Sequence, residues 1–142
     1  MAAHRLRVIV VDDNESVRRS IYLILRSQPD IDIVCEAIDG ADAVRKIGEH
    51  QPDVVLLDIT MPAMNGLEVA EIIKREFPTV QVLMVSQHES RGFRWAALAA
   101  GVSGYVIKRN VGKDLIPELR RIQLSTMSPL SSGLRGADES GS

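Results

Sequence analysis

Apolar runs too short to be helices recur five times along this chain, each followed by an amphipathic stretch of helical period. The first is Leu6 with residues 8–11; the others are 31–37, 54–57, 80–85 and 105–107. Their consecutive Val, Ile and Leu residues fit strands covered on both faces. After them, 16–27, 41–49, 67–77, 91–100 and 115–124 carry apolar residues mostly three or four apart. Pro29, Asp39-Gly40, Pro52, Pro78 and Gly101 stand where a helix must stop or a turn must open. Pro117 is tolerable in the first turn of the last helix. Parallel strands need crossovers of about a dozen residues, which helices supply. The alternation therefore predicts an α/β fold of three layers, with a five-stranded parallel sheet, right-handed crossovers and helices on both faces.

With 142 residues, 45% hydrophobic and 25% charged, the chain has material for one core and a tail. The composition changes after Gln123, so 5–123 reads as one folded domain. Residues 124–142, rich in Ser, Gly and small side chains, read as a flexible tail or truncated linker. The 17 Lys and Arg against 19 Asp and Glu leave no basic excess to neutralise a phosphate backbone. Cys35, the single cysteine, falls in the second apolar run and reads as a buried, inert thiol. The opening Met1-Ala2-Ala3-His4-Arg5 and the short apolar run behind it make neither a signal peptide nor a membrane span, which predicts a cytoplasmic protein with no membrane partner.

In open parallel sheets ligands bind beyond the carboxyl ends of the strands. There the sequence places Asp12, Asp13, Asp58, Ser86 and Lys108. Any one of them alone has a bland reading: an aspartate pair caps a helix, a lone aspartate turns a loop, a lone lysine is a solvated charge. Together at one sheet edge, three carboxylates raise one another's pKa unless a cation sits among them. Oxygen donors without His or Cys favour Mg²⁺ or Mn²⁺, whereas zinc finds no ligand set. Asp58, on the strand between the other two sites, is best placed to attack phosphorus. Forming an aspartyl phosphate is then a matter of positioning and of neutralising three phosphoryl oxygens. The metal takes one oxygen, the Lys108 ammonium a second and the Ser86 hydroxyl a third.

The motifs that carry this pattern are Val8-Ile9-Val10-Val11-Asp12-Asp13-Asn14, Pro52-Asp53-Val54-Val55-Leu56-Leu57-Asp58-Ile59-Thr60-Met61-Pro62, Asn65-Gly66-Leu67-Glu68, Val85-Ser86, and the run from Ala100 to Gly104-Tyr105-Val106-Ile107-Lys108. In them the chain resembles the response-regulator receiver family of two-component signalling. The run ending at Lys108 is most like the subfamily with a C-terminal helix-turn-helix output domain. The resemblance implies a flavodoxin-like (βα)5 sheet of strand order 2-1-3-4-5. It implies Mg²⁺ coordinated by Asp13, Asp58 and the backbone carbonyl of Thr60, with Asp12 acting through water. It implies a phosphoryl group received on Asp58 from a sensor histidine kinase, and a switch pair, Ser86 and Tyr105, that reshapes the fourth-helix and fifth-strand surface. Such a domain promotes only its own phosphorylation and dephosphorylation and is a signalling module, here the receiver part of a transcriptional regulator.

Two positions depart from the family pattern: Arg109 follows Lys108 where proline is common, and Gln87 follows Ser86 where a small residue is usual. Competing chemistries fare worse. A hydrolase of the haloacid dehalogenase type needs an aspartate where Thr60 stands, and neither GxGxxG nor GxxxxGK[ST] occurs. His4, His50 and His88 lack metal-ligand spacing and read as surface or loop residues, His88 with the option of lining the water path to the phosphate. On the fourth helix, Phe93 and Trp95 project roughly 160° apart, so one must be at least partly exposed. Arg91 and Arg94 lie on the Trp95 side, which makes that side the expected surface. A protein partner or a phosphorylation-dependent homodimer is expected there. DNA binding by this chain is not expected, because a recognition helix with its supports needs several tens of residues beyond Gln123.

Overall fold

The computed structural model describes residues 5–61 and 64–127. Five strands alternate with five helices: β1 (Leu6–Val11), α1 (Glu15–Leu25), β2 (Ile31–Ala37), α2 (Gly40–His50), β3 (Val54–Leu57), α3 (Gly66–Glu76), β4 (Gln81–Ser86), α4 (Arg91–Ala99), β5 (Gly104–Ile107) and α5 (Val111–Met127). All strand pairs are parallel and the order is β2-β1-β3-β4-β5, as the resemblance implies. The chain winds outward from β1 to β2 and then returns over β1 to β3. The order therefore reverses at the carboxyl ends of β1 and β3, where a crevice opens.

The strands are apolar throughout because both sheet faces are covered. On one face Ile9, Val11, Val55, Leu57, Val82 and Met84 meet Ala43 and Ile47 of α2, Val69 and Ile73 of α3 and Ala97 of α4. On the other, Val8, Val10, Leu56, Leu83 and Val106 meet Ile21 and Leu25 of α1 and Leu115, Leu119 and Ile122 of α5. Each fully buried Leu or Ile side chain contributes on the order of 1.5–3 kcal/mol.

Helix starts follow side-chain capping. Asn14 accepts hydrogen bonds from the N–H groups of Ser16 and Val17, Asp39 from Asp42, and Ser90 from Phe93. Asn65 and Glu68 cap α3 reciprocally. α2 ends on Gln51, which holds a left-handed φ of 48° just before Pro52. The last helix differs from expectation. A 3-10 turn, Lys108–Asn110, leads directly into α5, which begins at Val111 and runs to Met127. Pro117 therefore lies inside that helix and not in its first turn, and helical structure continues past Gln123. Of the expected tail, 128–142 lies outside the described residues, as do His4, Pro62 and Ala63. Cys35 is half-buried, packed against the first core, where burial pushes its thiol pKa up. Among the described residues no helix is long and apolar enough to cross a membrane.

Candidate functional site

Each strand that ends in the crevice delivers one polar side chain, because an apolar run that stops at the sheet edge leaves its next residue facing the gap. Asp12 follows β1, Asp58 follows β3, Ser86 ends β4 and Lys108 follows β5. Asp12, Asp58 and Ser86 are the buried polar residues of the described chain. Asp13 is exposed, yet one carboxylate oxygen from each of Asp12, Asp13 and Asp58 lies within 4.8 Å of the other two.

The Lys108 ammonium sits between two of these carboxylates, 2.8 Å from Asp12 Oδ2 and 3.2 Å from Asp58 Oδ1. The Thr60 N–H also donates to Asp58 Oδ1, at 3.2 Å, and the Asn14 N–H donates to Asp12 Oδ1, at 2.8 Å. Arg18 donates to the Asp12 carbonyl, at 2.6 Å, which fixes the turn after β1. Burial, and then the charge of Asp12, push the Asp58 pKa up, against the opposing pull of Lys108. Burial would lower the Lys108 pKa, but the hydrogen bond to Asp12 and the charges of both aspartates outweigh it and raise the value. The two directions agree physically: one ammonium is shared by two buried carboxylates, so the cation is well compensated and the anions are not.

Ser86 Oγ accepts the His88 N–H at 3.0 Å, which leaves the hydroxyl proton free to donate elsewhere. Tyr105 is buried and its hydroxyl donates to the His88 carbonyl at 2.8 Å. The Arg94 guanidinium lies over the Tyr105 ring, 5.1 Å from its centroid. On α4, Trp95 is 71% exposed while Phe93 is partly buried, which resolves the two-aromatic problem in favour of the Trp95 side as surface. Arg109, in place of the common proline, pairs with Glu89 across the mouth of the site, and no peptide bond among the described residues is cis.

Sequence reasoning did not find two features. Gly66 opens α3 directly against the loop after β3, where an added Cβ would lie 2.7 Å from Ile59 Cα and closer still to the Asp58 carbonyl oxygen. Only the motif Asn65-Gly66 pointed there. His88 reaches Thr60, Nε2 to Oγ1 at 3.1 Å, and stacks on Phe93 with centroids 3.9 Å apart and planes 12° apart. Its place two residues after Ser86 was the available signal.

The family model described as "Response regulator receiver domain" matches residues 8–120. The chain belongs to the response-regulator receiver family. It is similar to the response regulator protein VraR of Staphylococcus saprophyticus, 35% identical over 116 residues, covering 82% of this chain and 56% of that protein. Among solved structures it is similar to the DNA-binding response regulator of the LuxR family from Staphylococcus aureus, with 28% identity and a TM-score of 0.76 over 82% of this chain and 98% of that one. It also resembles a chain of the CheX–CheY–BeF3–Mg2+ complex from Borrelia burgdorferi, with 26% identity and a TM-score of 0.79 over 84% of this chain and 90% of that one. This receiver spans about half the length of the curated relatives it matches. As a receiver domain it is a two-component signalling module.

Proposed function

We propose that this receiver accepts a phosphoryl group on Asp58 from a sensor histidine kinase in the cytoplasm. The observation that carries the proposal is the buried Asp58 carboxylate, held by Lys108 and flanked by Asp12 and Asp13. Its Oδ1 is engaged by the Lys108 ammonium and the Thr60 N–H, so Oδ2 is the oxygen placed to attack phosphorus. A P–O bond forms as the P–N bond to the donor imidazole breaks, and the bonding pair leaves with that nitrogen. Lys108 neutralises one phosphoryl oxygen, and the Ser86 hydroxyl donates a hydrogen bond to another.

Crowded oxygen donors with a raised Asp58 pKa suit a hard divalent cation. Asp13, Asp58 and the Thr60 backbone carbonyl would hold Mg²⁺, with Asp12 contributing through water. When bound, the ion supplies positive charge for the remaining phosphoryl oxygen. The beryllofluoride and magnesium named for the Borrelia complex support this reading. Hydrolysis of the aspartyl phosphate resets the domain, which acts on no other substrate.

Ser86 and Tyr105 form the switch, and its output is the face made by α4 and β5. Exposed Trp95 with Arg91 and Arg94 suits a protein partner or a second phosphorylated copy. The likeness to VraR and to a LuxR-family regulator supports a role in transcription control. In this reading residues 5–127 signal to that machinery without binding DNA themselves. Incubation with Mg²⁺ and acetyl phosphate, followed by intact mass, tests the proposal. One added phosphoryl group on the wild type and none on Asp58→Asn is expected; equal labelling of both overturns it.

A further inference from the structure

The loop between β4 and α4 gathers contacts on a single residue. The His88 N–H bonds Ser86 Oγ, its carbonyl accepts from Tyr105, its Nε2 reaches Thr60 Oγ1 at 3.1 Å, and its ring stacks on Phe93 at 3.9 Å. Both members of the switch pair thus address the backbone of His88. Its side chain meanwhile joins the loop after β3 to the first turn of α4. A glutamine there would keep a hydrogen bond and lose the stack, and a phenylalanine would do the reverse. Histidine does both.

α4 is held lightly. Ala97 is its single fully buried residue, and Phe93 is the partly buried side chain that packs beside it. A helix with so small a buried face moves at low cost. The Phe93 N–H also donates to the capping hydroxyl of Ser90, so a push on this ring is felt at the start of the helix. At the other end of the chain of contacts, the Thr60 N–H donates to Asp58 Oδ1. Any change in the charge of that carboxylate acts on the Thr60 backbone, and the Thr60 side chain passes it to the imidazole.

We infer that His88 is a positioning residue, a latch through which the state of Asp58 reaches α4 by way of Thr60 and Phe93, in parallel with Ser86 and Tyr105. This relay rests on the reading of Asp58 as the acceptor. The contact between the acceptor loop and α4 does not.

The chain's single tryptophan, Trp95, sits on α4 and reports its position. Thr60→Val removes the hydrogen bond and keeps the shape, His88→Phe keeps the stack without the hydrogen bond, and Phe93→Leu removes the stack. The Trp95 indole N–H resonance, measured without any phosphoryl mimic, is expected to shift in all three variants. The double variant Thr60→Val with Phe93→Leu should shift less than the sum of its parts, since both changes cut the same link. With Mg²⁺ and beryllofluoride, the change in Trp95 fluorescence should fall by roughly half relative to wild type in each single variant. An unmoved Trp95 in Thr60→Val and His88→Phe overturns the latch. The mimic-free measurement makes no use of Asp58 chemistry, so the two readings fail separately. A wild-type beryllofluoride response no larger than that of Asp58→Asn overturns the acceptor and the relay together.

Discussion

Asp58 is buried at the end of β3 with a like charge beside it and one ammonium shared with Asp12. Its raised pKa has a stability consequence of definite sign. Between the ordinary carboxylate pKa and the raised one, the native state binds more proton than the unfolded chain. Stability therefore falls as pH rises through that window, and the ionised carboxylate costs stability at neutral pH. Asp58→Asn, in chelator, is expected to raise the melting temperature at pH 7 by a few degrees, about the size of a 1 kcal/mol effect. The gain should shrink as the pH falls through that window and be gone below about 4. A variant that melts lower than wild type at neutral pH would contradict the electrostatic account. Lys108→Ala acts oppositely on the same cluster: two buried carboxylates lose their cation and a phosphoryl oxygen loses its partner. Labelling by acetyl phosphate should slow, and the spectroscopic response of the α4–β5 face should weaken, and both can be followed in one sample. Wild-type kinetics together with a wild-type response would refute the role.

Elements explain which parts of this were legible. Alternating apolar runs predicted every strand and helix, because burial on both sheet faces leaves no freedom in the strands. Strand-end residues then followed from strand position alone, so Asp12, Asp58, Ser86 and Lys108 were readable. The start of α5 was not, since Pro117 looks like a first-turn residue and the 3-10 turn at Lys108–Asn110 has no signal of its own. The end of α2 was placed by Pro52, while the left-handed residue that completes it is Gln51, where glycine or asparagine would have been expected. Gly66 was readable only as part of a motif, for its need is steric and arises from an approach between α3 and the loop after β3. Gly66→Ala should push the α3 N-terminus off that loop and cost about 1–3 kcal/mol or more. Urea unfolding measures this; a midpoint unchanged from wild type would mean the loop yields freely.

At the scale of the molecule, strand order came from family resemblance and not from the residues, since periodicity says which segments are strands but not which are neighbours. A long-range contact of the last helix was equally invisible. Arg120 of α5 donates to both carboxylate oxygens of Asp30, each at 2.7 Å, and to Gln28, joining the last helix to the turn before β2. The hydrogen bonds from Arg120 hold the Asp30 pKa below its ordinary value. Their contribution is present above the unfolded carboxylate pKa and is lost as pH falls through the lowered one. Arg120→Ala should therefore destabilise at neutral pH and lose its effect in acid; a pH-independent difference in denaturation midpoints would assign the loss to packing. Whole-molecule signalling is tested by light scattering and NMR with and without beryllofluoride. Resonance changes should extend from Asp58 into 90–108, and changes confined to the crevice would exclude this output face. Finally, the Lys108 bridge to Asp12 spans nearly the whole domain, from the end of the first strand to just past the last. A nascent chain not yet translated through β5 carries its aspartates without the Lys108 ammonium between them, so under the proposed function competence to receive a phosphoryl group arrives only once Lys108 has been made.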